Sequence, residues 1–264
     1  YGSGKSLFGL LVSTLFSKED SSWSEKTLAQ LEDENPELFL KLRSVLEATE
    51  LGFFPIIVQG EKGPFDLALC NALFEALTSE DRVTDWVPRK LTRSIHLTME
   101  TIKSGINRSS DVVELYRQAS DHARASGYRG LIVVADEFGK FLERGANQGE
   151  LPDLVAAQYL AELARDSRDA KIMFLVLVHQ SFQDYASTLS QDQRLEWSKV
   201  QGRFRQIDFS DQSEDLYELI ASCLSRNISD RSSDKQIEAW ADRIVTQVQE
   251  IPLFQGDVKH AFWT

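Results

Sequence analysis

Three runs are apolar at nearly every position, 53–58, 130–135 and 171–178, and each has the length of a strand buried on both faces. A fourth run at about 204–209 reads as a final strand after a helix that stops at Gly202. Between these runs apolar residues recur at helical spacing. Leu7, Leu10, Leu11 and Leu15 predict a first helix from about residue 5, packed through its leucines on the sheet. An acidic helical pair follows over 17–50, with start signals at Ser24 and Asn35-Pro36. Further helices are expected at about 64–78, 87–103, 111–126 and 151–166. From Gln212 onward no strand signal occurs, and apolar positions 216, 219, 220, 223 and 224, then 237, 240, 241, 244, 245 and 248, predict a small helical lid. The expected organisation is an α/β core over 1–210 and a helical lid over 211–264, truncated at its C-terminal end.

Composition narrows this picture in two ways. The 264 residues are 42% hydrophobic and 10% aromatic, enough for a packed core. Lys and Arg number 29 against 41 Asp and Glu, a net charge of −12, which argues against coating nucleic acid by bulk charge. One segment departs from that acidity: Arg82, Arg89, Lys90, Arg93, Lys103 and Arg108 outnumber Asp85 and Glu100, so 82–108 carries +4. It is the expected place for any contact with DNA. Cys70 and Cys223 sit in apolar helical patterns and read as core thiols in a reducing compartment. No apolar run reaches the ~20 residues of a membrane span, so a cytoplasmic protein without membrane contact is expected.

The first chemical motif is Tyr1-Gly2-Ser3-Gly4-Lys5-Ser6, whose Gly4, Lys5 and Ser6 fill the last places of the phosphate-loop pattern G-x-x-x-x-G-K-[ST]. The pattern's first glycine would fall two residues before Tyr1, so a longer protein with a further, preceding strand is expected. Gly2 and Gly4 let backbone N–H groups turn toward a phosphate, and the N-terminus of the following helix adds its positive dipole end. Lys5 would reach the β- and γ-phosphates of ATP, and the Ser6 hydroxyl would ligate Mg²⁺. The stretch Gly2-Ser3-Gly4-Lys5-Ser6-Leu7 is the expected nucleotide-binding segment.

The second motif is Gly130-Leu131-Ile132-Val133-Val134-Ala135-Asp136-Glu137, an apolar strand that delivers two carboxylates to its C-terminal edge. It looks like a Walker B motif. Asp136 would serve the Mg²⁺ shell, and Glu137 would orient the water that attacks the γ-phosphate. His96, His122, His179 and His260 have no metal-ligand spacing.

Together Y-G-S-G-K-S, LIVVADEFGKFLE, FLVLVHQSF and KVQGRF resemble the AAA+ branch of P-loop ATPases. DEFGKFLE with HQSFQDYA is further similar to the large ATP-binding proteins of prokaryotic anti-phage defence systems of the bacteriophage exclusion type. The resemblance implies an α/β P-loop NTPase fold with a five-stranded parallel sheet, counting the preceding strand, flanked by helices and followed by the lid. It implies that His179 or Gln180, at the tip of the 171–178 strand, senses the γ-phosphate. It also implies that Arg203, just before the last strand, reaches a neighbouring subunit's γ-phosphate in trans, with Arg205 as the second choice. Of Arg226, Arg231 and Arg243, none carries a motif that marks a lid sensor.

ATP and Mg²⁺ are thus the expected cofactors, and a homo-oligomer or other subunits of a defence complex the expected partners. The competing reading is an interaction module in which nucleotide binding gates assembly with little hydrolysis. A small-molecule kinase is the third.

Overall fold

The computed structural model describes residues 4–18, 21–47, 51–60, 63–79, 85–142, 154–166, 171–179, 194 and 198–207. Helix α1 (Lys5–Ser17) is followed by α2 (Ser21–Glu34) and α3 (Pro36–Leu46), then strand β1 (Phe54–Val58). Next come α4 (Phe65–Thr78), α5 (Arg89–Lys103) and α6 (Ser109–Ala125), strand β2 (Leu131–Ala135), α7 (Leu154–Arg165) and strand β3 (Ile172–Val176). The chain divides into two compact units, Tyr1–Gln206 and Ile207–Thr264. The expected lid and Cys223 lie outside the described residues. Among the described residues no helix is long and apolar enough to cross a membrane.

The strands form a parallel sheet in the order β1-β2-β3, with Val58, Ala135 and Val176 level at its C-terminal edge. Because β2 is central, both its faces are covered. Leu131, Val133 and Ala135 join the large core built with α4, α5, α6 and α7, while Ile132 and Val134 meet Val12 and Phe16 of α1 on the other side. That two-sided burial is why the run is apolar without alternation.

The expectation of five strands is overturned: the sheet has three among the described residues. One of the five was never in this sequence. The other, at 204–209, is not a strand where it is described. The N–H groups of Gly202, Arg203 and Phe204 bond back to the Ser198, Val200 and Gln201 carbonyls, so they close a helical turn instead of joining a ladder. Phe204 then packs its ring on Phe174 of β3.

Helix α1 also faces differently from its leucine stripe. Leu7 and Leu10 are 60% and 56% exposed, whereas Gly9, Ser13 and Leu15 are buried. Small residues decide this orientation. A Cβ on Gly9 would lie 2.7 Å from Leu177 Cδ1 and 3.2 Å from Val134 Cγ1, so the small-residue side brings the α1 backbone closest to the sheet. In the acidic pair, Asn35 caps α3 as expected, its side chain accepting from the Leu38 N–H at 3.0 Å. Ser24 does not start a helix: α2 begins at Ser21, and Ser24 is buried within it.

Candidate active site

The direction of α1 follows from its two ends. Near its C-terminus the Phe16 carbonyl accepts from the Phe53 N–H at 2.7 Å, just before β1 begins. Gly9 lies against Val134 and Leu177, beside the last residues of β2 and β3. The helix therefore starts at the C-terminal edge of the sheet, with Lys5 about 6 Å beyond Gly9 at the usual helical rise. Gly4, the residue before it, holds φ at 66°, a left-handed conformation that glycine enters at little cost. Lys5 is half-buried and Ser6 exposed. Neither side chain makes a hydrogen bond or ion pair among the described residues. Gly2 and Ser3 lie outside them.

Asp136 and Glu137 leave β2 at the same edge. The turn they form is held from both sides: the Asp136 N–H donates to Val58 O at 2.8 Å, and the Phe138 N–H to Leu177 O at 3.0 Å. Phe138 is fully buried, its ring 5.0 Å from that of Phe65. Within this clamp Glu137 adopts φ 52°, one of two positive-φ non-glycine residues among those described. Left-handed backbone at such a residue is strain that the surroundings must enforce, and it concentrates at functional turns. The Glu137 N–H donates to Asp136 Oδ1 at 2.8 Å. Lys140 Nζ pairs with Glu137 Oε2 at 2.5 Å and donates to Gly60 O at 3.4 Å.

The remaining candidates divide. His179 is exposed three residues past the end of β3, beyond the edge that carries Asp136 and Glu137. Gln180 lies outside the described residues. Arg203 is tied to α7: its Nε donates to Glu162 Oε1 at 2.8 Å, with both side chains about a third exposed. The Glu162 carboxyl is held below its usual range by the Gln158 side-chain hydrogen bond and then by Arg203. Arg205 is exposed.

The fold thus brings Lys5, Ser6, Asp136, Glu137 and His179 to one edge, and leaves Arg203 on the α7 side. Three residues of this arrangement were not candidates from the sequence. Lys140 stands three positions after Glu137, which in a turn is within ion-pair reach. Gly60 follows the end of β1, where a glycine suggests close approach. Glu162 had no signal at all.

Among the described residues no cluster of three or more His, Cys, Asp and Glu side chains could hold a metal ion. Ser6, Asp136 and Glu137 are the oxygen-bearing candidate side chains at this edge; Mg²⁺, where proteins bind it, is commonly held by one or two protein oxygens together with nucleotide phosphates.

No protein-family model, curated protein or solved structure matches the chain.

Proposed function

We propose that this chain binds and hydrolyses ATP as an AAA+ like domain, working in an oligomer or multi-protein complex of the anti-phage defence type. The single observation that carries the reading is the convergence of the α1 N-terminus and the strained Asp136-Glu137 turn on one edge of a parallel sheet. Ligands of open α/β sheets bind outside the C-terminal ends of the strands, and a helix N-terminus there favours phosphate. The sequence resemblance supplies the rest, including a cytoplasmic location.

Each residue then has a task. The Gly4 turn and the first N–H groups of α1 cradle the phosphates, and the Lys5 ammonium offsets their charge. Ser6 and Asp136 are the oxygen donors that would hold Mg²⁺, which supplies charge neutralisation at the phosphates when bound. Glu137 orients the attacking water through its carboxylate. His179 is a candidate contact to the γ-phosphate. Arg203 acts, on this reading, on a neighbouring subunit after leaving Glu162.

A second element concerns DNA. Of the six basic residues at 82–108, Lys103 pairs with Glu100 and Arg108 with Asp111, and Arg82 lies outside the described residues. Arg89, Lys90 and Arg93 are exposed on α5, and no ion pair engages them among the described residues. They are the three cations available to phosphates.

The test is Mg²⁺-dependent ATP binding by the full-length protein, with Lys5→Ala and Ser6→Ala variants. The reading expects both to weaken binding at least tenfold; a wild-type protein that binds no ATP sinks it.

A further inference from the structure

The turn after β2 carries a cation, Lys140, beside the two carboxylates. Its Nζ sits 2.5 Å from Glu137 Oε2 and 3.4 Å from the Gly60 carbonyl, so it joins the end of β1 to that turn. We infer that Lys140 is the positioning residue of Glu137, fixing the carboxylate in the orientation that holds the attacking water. This rests on the ATPase reading above.

The backbone leaves part of the glutamate loose. The strained turn fixes the Glu137 Cα and Cβ, since Phe138 is locked in the core on one side and Gly60 closes on the other. A Cβ at residue 60 would lie 2.8 Å from the Glu137 Cβ. The rest of the glutamate side chain has three rotatable bonds and is two-fifths exposed. Without a partner it would sample several rotamers. The ammonium favours one of these rotamers, because it bonds Oε2 and the Gly60 carbonyl together. It occupies one carboxylate oxygen only. Oε1 makes no hydrogen bond among the described residues, so its lone pairs remain for a water.

A carboxylate held in one orientation suits a group whose task is to orient water in a loose phosphoryl-transfer transition state. Proper placement of such a group is worth on the order of ten- to a hundredfold in rate.

The experiment is steady-state ATP hydrolysis and ATP binding by the full-length protein with Lys140→Met and Lys140→Arg. Lys140→Met should lower kcat at least tenfold while KM and ATP affinity stay within twofold of wild type. Lys140→Arg keeps a donor and a charge within reach, and should restore most of the rate. Three results overturn the inference alone when the wild type is active: kcat of Lys140→Met unchanged or raised, ATP affinity falling along with kcat, or no rescue by arginine. A wild-type protein with no turnover overturns the ATPase reading and takes this inference with it. Circular dichroism of each variant separates loss of fold from loss of placement.

Discussion

Position 60 has no room for a side chain beside Glu137: a Cβ there would lie 2.7 Å from the Glu137 carbonyl oxygen. Gly60→Ala must therefore displace either the end of β1 or the strained turn. We expect a loss of about 1–3 kcal/mol, the usual cost of overpacking a tight contact. Gly63 is the control, since nothing lies within 4 Å of a Cβ there. Urea unfolding of both variants checks the point; equal stabilities would mean that the turn yields without cost.

Alkaline pH should weaken the fold through Cys70. Burial, and then the Asp66 charge, push this thiol from its ordinary 9.0 up to about 12, and burial also raises the Tyr116 phenol. Above pH 9 the unfolded chain gives up the Cys70 proton while the folded chain keeps it. The folded state thus binds more protons, and stability falls as pH rises from about 9 to 12; below that window the contribution is fully present. Cys70→Ala should flatten the decline by up to about 1.4 kcal/mol per pH unit, leaving the Tyr116 component. Urea midpoints between pH 8 and 11 measure it, and identical slopes would contradict the buried-thiol account.

Arg203 and Glu162 can be separated by mutation. As an ion pair about a third exposed, they should contribute under about 1 kcal/mol to stability. Arg203→Ala removes the guanidinium, whereas Glu162→Gln releases it. If Arg203 acts on a neighbouring subunit, Arg203→Ala should lower turnover by on the order of a thousandfold, and Glu162→Gln should leave it intact or raise it. Equal losses in both variants would mean the pair is structural.

Charge reversal of Arg89, Lys90 and Arg93 tests the α5 face. If it meets a duplex backbone, affinity should fall at low salt and the log–log salt slope should shrink by about 2.7, at about 0.9 for each phosphate no longer neutralised. Duplex titrations at several salt concentrations read both. Unchanged affinity removes DNA from this surface.

How much was legible in the sequence depended on whether one face or both carried the signal. Strand β2 is buried on both faces, so its apolar run announced it and placed Asp136 and Glu137 at its tip. Helix α1 misled because four leucines suggested the packed side, while Gly9 and Ser13 let the backbone approach the sheet more closely. At the start of the 204–209 run Phe204 packs on Phe174 of β3 instead of pairing in a strand, a difference that an apolar side chain alone does not signal. Gly60 and Lys140 were hidden for a different reason: their importance is a contact between two strand ends 80 positions apart, which no local pattern encodes.

The most direct measurement is ATP binding and single-turnover hydrolysis by the full-length protein, wild type against Glu137→Gln. The account predicts that the variant binds ATP within a fewfold of wild type while its hydrolysis rate falls at least a hundredfold. Hydrolysis at the wild-type rate in Glu137→Gln would contradict the assignment of the β2 turn as the catalytic centre.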